Sequence, residues 1–234
     1  MMRGVAGLTG LGLCLVILCG SMSLLGIWSR LGLGKTATPT HSPDSSISQE
    51  NILFFDDFSN PSSGWPTLQT VRGSYNYQPD GYHIVVNEVG GVLWAKTNAK
   101  YLDASISVDA SLVGNEKNGY FGLLCRIRDD DNFYYFVIRN NGEYTLGKYK
   151  DAQFQSLLAE GWKQSSAINL NVQPLHIQAD CVGNTLRLYV NNILLDEVTD
   201  SDFPAGYSGI LAASLDAQEF EAVFNNFLIT EPAQ

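Results

Sequence analysis

The chain is poor in positive charge. Lysine and arginine number 14 against 24 aspartates and glutamates, so 234 residues carry a net charge of −10. A surface that tracks nucleic-acid phosphates needs the opposite balance, and nucleic acid is therefore excluded as a partner. Only three histidines and four cysteines are present. They are too few for a disulfide-dense scaffold and are not spaced as zinc ligands.

Amphipathic helical patterns and fixed-period repeats are also missing beyond Asn51. The first absence excludes a parallel α/β fold, and the second excludes propellers and solenoids. Short apolar or alternating runs recur instead between Gly, Asn and Asp turn signals, about 8–12 residues apart. They predict an all-β fold, an antiparallel double-sheet sandwich that occupies residues 51–234 as one domain. The predicted strands are 52–58, 73–77, 81–86, 91–97, 103–112, 119–128, 133–139, 143–150, 172–181, 185–190, 193–198, 207–215 and 219–229.

The amino-terminal segment has no charged residue between Arg3 and Arg30. A helix of about 20 apolar residues spans a bilayer, whereas a cleaved signal peptide usually has about 7–15. Residues 1–34 are therefore predicted to be one transmembrane helix that anchors the protein, with a cleaved signal segment as the alternative. Residues 35–50, rich in Ser, Thr and Pro, have the composition of a linker.

The charges that flank this segment are nearly balanced and do not decide its orientation. A short amino-terminal tail before an acidic domain is the usual arrangement of exported proteins. It favours a single-pass protein of the cell membrane with its carboxy-terminal domain outside the cytoplasm.

The middle strands allow a prediction of register. An Asn-Gly pair favours a two-residue turn, which pairs Tyr135 with Lys148. A four-residue DDDN loop in the preceding hairpin then pairs Arg126 with Tyr135. A three-residue loop pairs Arg126 with Tyr134 instead and scatters charged residues among aromatic ones. We favour the four-residue loop for that reason.

This register assigns side chains to two faces, because they alternate along a strand. The predicted core face carries Phe121, Leu123, Cys125, Ile127, Tyr134, Phe136 and Ile138. The opposite, open face carries a row of Arg126, Tyr135 and Lys148, with Leu124, Val137 and Leu146 in the next row and Arg139 paired with Tyr144 beyond them.

Five segments between residues 51 and 230 form an informative succession. They read FFDDFSNPSSGWP, GLLCRIRDDDNFYYFVIRNNGEYTLGKY, LHIQADCVGNTLRLYVNNILLDEV, FPAGYSGILAAS and EFEAVFNNFLIT. Together they resemble the concanavalin A-like lectin/glucanase superfamily, and more narrowly the laminin-G-like jelly-roll modules of membrane-anchored bacterial proteins. The resemblance implies a jelly-roll sandwich that binds glycans or protein partners, and it does not imply catalysis. Such modules commonly have Phe-Asp-Asn-Phe in the last strand, where this chain has Asn225 in place of the Asp.

The catalytic pattern of the glucanases in that superfamily is absent. Those enzymes carry Glu-x-Asp-x-Glu or Glu-x-Asp-x-x-Glu on one strand, because a retaining enzyme needs acid and nucleophile about 5 Å apart. Here Glu219 and Glu221 share a strand face with no Asp between them, and His83 and His176 lie in no nucleophile motif. The chain is therefore predicted to have no catalytic residues.

Two further features concern metal binding and crosslinking. Asp56 and Asp57 end the first predicted strand and supply the oxygen ligands that Ca²⁺ prefers. The sequence therefore suggests a structural Ca²⁺ at this pair and no other cofactor. Cys125 and Cys181 are both in phase with core residues. They form either a disulfide, which adds about 2–4 kcal/mol to stability, or a buried pair of thiols, because the sequence does not fix their Cα separation.

These observations favour an extracytoplasmic binding module that is held in the membrane by its amino-terminal helix. Aromatic rings stack on the C–H faces of sugars, and cations bind hydroxyl or acidic groups, so the predicted ligands are glycans or other hydroxyl-rich or anionic molecules. The predicted ligand-binding residues are Arg126, Tyr135, Lys148, Arg139 and Tyr144.

Two alternatives from other functional classes stay open. A structural or protein-interaction ectodomain, with a surface protein as partner, requires an exposed apolar patch around Leu124, Val137 and Leu146. A glycoside hydrolase requires two carboxylates that face each other across a groove.

Overall fold

The structure is a computed structural model that describes residues 51–114, 118–216 and 219–232. The predicted anchor, residues 1–34, and the predicted linker, residues 35–50, lie outside the described residues. Within those residues all regular elements are β-strands, and no helix is long and apolar enough to cross a membrane.

Sixteen strands lie in the described part of the chain. They are β1 (Ile52–Asp56), β2 (Leu68–Thr70), β3 (Gly73–Gln78), β4 (Gly81–Val86), β5 (Val92–Tyr101), β6 (Ala104–Leu112), β7 (Gly119–Asp129), β8 (Asn132–Arg139), β9 (Glu143–Lys150), β10 (Gln153–Ser156), β11 (Lys163–Gln164), β12 (Leu175–Val182), β13 (Thr185–Val190), β14 (Ile193–Thr199), β15 (Gly206–Ser214) and β16 (Phe220–Thr230). Each predicted strand corresponds to one of them. Strands β2, β10 and β11 were not predicted, because two to four residues are too few to show alternation.

The strands form two antiparallel sheets. The nine-stranded sheet has the order β14-β13-β12-β6-β16-β4-β3-β2, with β1 paired to β16, and the seven-stranded sheet has the order β10-β9-β8-β7-β15-β5, with β11 paired to β9. The two sheets pack face to face, because alternating apolar side chains of both point into one core. The all-β sandwich predicted from the sequence is confirmed for the described residues.

One end of the core is filled by the aromatic residues of the FFDDFSNPSSGWP segment. Trp65 contacts Phe58 at 5.1 Å and Phe227 at 4.9 Å between ring centroids, and Phe58 contacts Tyr82 at 5.1 Å. All four rings are buried. The first segment of the domain is thereby packed onto β4 and β16.

Six of the seven predicted core residues of β7 and β8 lie in this core, and Ile127 does not. The reason is a bulge at Arg126, whose φ of 52° lies in the left-handed region. Leu124 pairs with Tyr135 and Cys125 with Tyr134, and the register then shifts before the hairpin turn. The bulge reverses the alternation, so that Arg126 points inward and Ile127 outward. The predicted pairing of Arg126 with Tyr135 is therefore wrong, as is the three-residue alternative.

The next hairpin also differs from its prediction. The loop spans residues 140–142, because Gly142 adopts a φ of 86° and its N–H donates to the carbonyl of Arg139 at 3.2 Å. Tyr135 therefore pairs with Gly147, and Lys148 pairs with Tyr134. This one-residue shift moves Lys148, and with it Tyr144 and Leu146, to the inner side of β9.

The inward-pointing Arg126 ties the two sheets together. Its side chain is buried, and its guanidinium donates to polar atoms of three separate chain segments. The acceptors are the carbonyls of Gly183 (2.7 Å), Leu102 (3.1 Å), Phe203 (3.1 Å) and Cys181 (3.2 Å) and the carboxylate of Asp103 (3.1 Å).

The residue before Arg126 makes a covalent link between the same sheets. Cys125 on β7 and Cys181 on β12 form a disulfide, with their Cα atoms 6.8 Å apart. Both sulfur-bearing side chains are buried in the core. The crosslink and the Arg126 hydrogen bonds meet at Cys181, whose carbonyl accepts from the guanidinium.

Replacing Arg126 is expected to destabilise the fold strongly. The Arg126→Met variant keeps most of the side-chain volume and removes all five donated bonds, so we expect a loss of about 3–5 kcal/mol, the usual cost of breaking a buried charged network. Urea unfolding of the full-length protein, followed by tryptophan fluorescence, measures it. Arg128→Met, at an exposed neighbour, is the control and should change stability by less than about 0.5 kcal/mol. A loss below about 1 kcal/mol in the Arg126 variant would contradict the role assigned to its network.

Candidate functional site

The outer face of the seven-stranded sheet carries a second apolar layer. A solvent-facing sheet surface is usually polar, so this composition marks a candidate binding surface. The buried members are Leu124, Ile127, Phe133, Tyr135, Val137 and Leu211, and the partly buried ones are Val92, Trp94, Tyr120, Tyr149, Trp162 and Tyr207.

Four rings of this layer and the exposed ring of Phe154 form a continuous aromatic belt. Trp94 lies 5.9 Å from Phe133, Phe133 lies 5.0 Å from Tyr149, and Tyr149 lies 4.5 Å from Phe154. Phe154 in turn meets Tyr135 at 5.5 Å. The belt runs from β5 to β10 and so crosses the whole sheet.

A cleft of about 220 Å³ opens beside the β10 end of the belt. It lies over β7, β8, β9 and β10. The indole ring of Trp162, in the segment before β11, forms its remaining wall. The lining residues are Tyr120, Tyr135, Val137, Arg139, Thr145, Phe154, Ser156 and Trp162.

Arg139 is the cation of the cleft. Its guanidinium carbon lies 3.6 Å from the centroid of Trp162, and its Nη1 donates to the Glu143 carboxylate at 2.8 Å. Its Nε is buried and has no hydrogen-bond partner among the described residues. Stacking on the indole and pairing with Glu143 hold the guanidinium in one orientation at the cleft wall.

Burial raises the pKa of both tyrosines that line the cleft above the ordinary tyrosine value of 10.0. Loss of solvent raises the pKa of Tyr120 to about 12, with the nearby Arg139 acting in the other direction. Burial also raises the pKa of Tyr135, and Tyr120 adds to the effect. Hydrogen bonds from Asn141 and Arg139 lower the pKa of Glu143. At neutral pH the cleft therefore offers neutral phenols next to a fixed cation.

The floor of the cleft depends on Gly147. A side chain there would collide with the Tyr135 ring and with the carbonyl of Gln155 on the adjacent strand. Thr145 and Ser156 face each other across the same two strands, with their hydroxyls 3.2 Å apart. The floor is thus partly polar between aromatic walls.

A second cavity, of about 490 Å³, lies around the 140–142 loop. Some of its lining residues are close in the chain to those of the cleft: Asn140 follows Arg139 directly, and Gln164 lies two residues after Trp162. The lining is uncharged and rich in amides and hydroxyls: Asn140, Asn141, Gly142, Gln164, Ser165, Ser166, Ile168, Asn169, Leu170 and Asn171.

The structure brings together two of the five predicted ligand-binding residues, Tyr135 and Arg139. Arg126 is buried between the sheets because of the bulge on β7. Lys148 lies on the inner side of β9, where its ammonium contacts Asp200 at 2.5 Å and Asp202 at 2.6 Å. The predicted row of Arg126, Tyr135 and Lys148 is therefore wrong.

Tyr144 is also turned inward, with its hydroxyl donating to the carbonyl of Leu195 at 3.1 Å. The protein-interaction alternative requires an exposed apolar patch around Leu124, Val137 and Leu146. These three side chains do not form one, because all are fully buried. Leu146 belongs to the central core, and the other two lie beneath the outer aromatic layer.

Several residues that line the cleft were not predicted from the sequence. Tyr120 could have been found, because it alternates with the core residue Phe121 on a predicted strand. Phe154 and Ser156 lie on β10, which was too short to predict, and Trp162 lies in an irregular segment with no periodicity to place it.

At the predicted Ca²⁺ site, Asp56 is buried and Asp57 is exposed. Asp56 accepts from the N–H of Phe58 through one oxygen, while its Oδ2 has no hydrogen-bond partner in the described chain. Asp57 accepts from the N–H of Ser59. No group of three or more His, Cys, Asp or Glu side chains that could hold a metal occurs among the residues the structure describes. Calcium binding at this pair stays a prediction.

Solved structures of other proteins share this architecture. The carbohydrate-binding module CBM66 from Bacillus subtilis superposes with a TM-score of 0.59 at 18% identity, over 72% of this chain and 96% of that one. A protein of unknown function with a galectin-like fold, also from Bacillus subtilis, gives 0.60 at 11% identity, over 78% and 97%. The β-glucanase of Bacillus licheniformis gives 0.53 at 11%, over 77% and 98%.

The described residues have the concanavalin A-like jelly-roll fold, as the sequence segments implied. Neither a protein-family model nor a curated protein sequence matches the chain. Identities of this size show a shared fold only, since one fold hosts many functions.

The ion pairs of Lys148 predict how stability depends on pH. Burial acts to raise the pKa of Asp200, but hydrogen bonds from Lys148 and Tyr134 outweigh it and the pKa is lowered. Bonds from Lys148 and Lys150 lower the pKa of Asp202. The stabilisation is therefore present above the ordinary aspartate pKa of 3.8 and is lost as the pH falls through the lowered values.

We expect Lys148→Met to cost about 1–3 kcal/mol at neutral pH, because it leaves a largely buried aspartate without its cation. As the pH falls towards about 2, a growing share of both aspartates binds protons, and the difference should shrink. Thermal unfolding of the wild type and the variant at both pH values measures this. Lys150→Met, which removes a more exposed partner of Asp202, is the control. A difference that does not depend on pH would contradict the ion-pair explanation.

Proposed function

We propose that this chain is a non-catalytic glycan-binding module that holds a sugar ring in the cleft between Trp162, Arg139 and Tyr135. The observation that carries the proposal is the lining of the cleft. It combines four aromatic rings, two of them phenols, with one fixed cation and two aliphatic hydroxyls, and no carboxylate lines it among the described residues.

This combination suits a sugar ring. The C–H faces of a pyranose pack on aromatic rings, while its hydroxyls need donors and acceptors at the edge of the stack. Neutral Tyr120 and Tyr135 can donate, and Thr145 and Ser156 can donate or accept. The amide-rich cavity beyond Arg139 gives a longer glycan further hydroxyl partners.

The lining supports binding over hydrolysis. A retaining or inverting glycosidase needs two carboxyl groups on either side of the scissile bond. The acid next to the cleft, Glu143, already accepts hydrogen bonds from Arg139 and Asn141. The names of the similar structures, a carbohydrate-binding module and a galectin-like protein, support a sugar as the ligand.

We infer further that the domain is held at the cell membrane, outside the cytoplasm. The uncharged run between Arg3 and Arg30 supports an anchor. The Cys125–Cys181 disulfide supports an oxidising compartment, because such bonds persist mainly outside the cytosol.

A glycan-array screen of the full-length protein in detergent tests the sugar proposal. We expect selective binding, and a loss of about 10-fold in affinity for Trp162→Ala, since one aromatic stack is worth up to about 1.5 kcal/mol. Arg139→Gln should also weaken binding. The matched control is Phe55→Ala, which removes an exposed ring from β1 of the other sheet. Running the array with and without Ca²⁺ tests the predicted metal at the same time.

Two results would overturn the sugar proposal. One is the absence of any bound glycan on a protein whose near-ultraviolet circular dichroism shows native packing. The other is equal binding by wild type and Trp162→Ala.

Protease treatment of intact cells tests the location. We expect added protease to remove the epitope of a tag placed after Gln234, because an anchored extracytoplasmic domain exposes its carboxyl terminus. A tag that is cleaved only after the cells are lysed would place the domain inside.

A further inference from the structure

Two lysines at the β5 end of the aromatic belt make no ion pair with any residue that the structure describes. The Nζ of Lys96 lies 4.8 Å from the ring centroid of Tyr207 and 5.6 Å from that of Trp94. The Nζ of Lys100 lies 5.0 Å from the same Tyr207 ring. Neither ammonium is within ion-pair distance of a carboxylate in the described chain, although acids outnumber bases 24 to 14.

Other lysines of the same sheet behave differently. Lys148, Lys150 and Lys163 each contact an aspartate at 2.5–2.9 Å. In an acidic protein an unpaired lysine is thus the exception on this sheet. Two unpaired lysines on one tyrosine ring concentrate positive charge that the protein itself does not neutralise.

The two lysines face the same side as the belt. Trp94 and Lys96 are two residues apart on β5, and Trp94 contacts Phe133 at 5.9 Å. Lys100 lies beyond a register shift but reaches the same Tyr207 ring as Lys96. On the neighbouring strand, Tyr207 pairs with Lys100 and belongs to the outer apolar layer. The charge therefore adjoins the surface that leads to the cleft.

One carboxylate lies near this end of the sheet. Asp130 lines a groove together with Lys96, Trp94 and Tyr75. It forms no ion pair with Lys96, and Lys100 does not line that groove. Asp130 therefore forms an ion pair with neither of the two ammonium groups.

Two ammonium groups on one ring repel each other, and an anion placed between them is attracted by both. We propose that Lys96 and Lys100 form an anion subsite at the β5 end of the belt, and that the ligand is an acidic glycan. A carboxylate or sulfate group of the glycan binds the two ammonium groups, and the sugar that bears it stacks on Trp94 or Tyr207. This inference rests on the proposed glycan-binding function and names its ligand class.

The test compares acidic oligosaccharides with neutral copies of themselves. Hexamers of galacturonate, mannuronate and hyaluronan are each titrated against their carboxyl-reduced forms, with full-length protein at low ionic strength. We expect at least one acidic hexamer to bind about 10-fold more tightly than its reduced form. The preference should fall at about 1 M salt, where the Debye length is about 3 Å.

Paired variants separate a local site from overall charge. Lys96→Gln with Lys100→Gln should remove the preference and leave the affinity for the reduced hexamer within about 2-fold, because the cleft is unchanged. Lys150→Gln with Arg187→Gln changes net charge by the same amount at cations that already pair with Asp202 and Glu197. The control pair should keep the preference.

The possible outcomes test the anion subsite separately from the glycan-binding function on which it rests. Equal affinity for acidic and reduced hexamers, with binding that Trp162→Ala still weakens, overturns the anion subsite alone. A preference that the control variants remove equally also overturns it. If neither these hexamers nor any glycan of the array binds, the proposed function and the anion subsite fail together.

Discussion

The buried guanidinium of Arg126 is the interaction on which both faces of the seven-stranded sheet depend. It reaches four carbonyls and Asp103 only because the β7 backbone bulges into the left-handed region at that residue. The same bulge turns Ile127 outward, beneath the aromatic layer. One local distortion thus joins the two sheets and completes the apolar bed of the candidate site, at the cost of a strained φ angle.

Much of the fold follows from alternation and turn signals. Strand β1 and the strands from β3 to β9 and from β12 to β16 were predicted, and alternation placed Phe121, Leu123 and Phe136 correctly in the core. Alternation fails at Arg126, since no sequence pattern marks an arginine with positive φ. The error stays local, because only Arg126 and Ile127 change faces, whereas Tyr134, Phe136 and Ile138 on β8 keep their predicted side.

The candidate site was less predictable, for reasons that lie in particular residues. Asn141-Gly142 is a strong turn signal, but it fits both two-residue and three-residue loops, and only Gly142 and its bond to the Arg139 carbonyl select the longer one. Trp162 reaches the cleft from an irregular segment whose position depends on tertiary contacts. Tyr135 and Arg139 were correctly placed on one face, because they lie four residues apart on β8 and no bulge separates them.

The disulfide encloses most of the cleft in a covalent ring. Cys125 and Cys181 are 56 residues apart, and seven of the eight lining residues lie between them, with Tyr120 outside. A single peptide-bond cut anywhere in that ring leaves both pieces attached to the sandwich. The strands of the cleft therefore cannot leave as a fragment after one cut inside that ring.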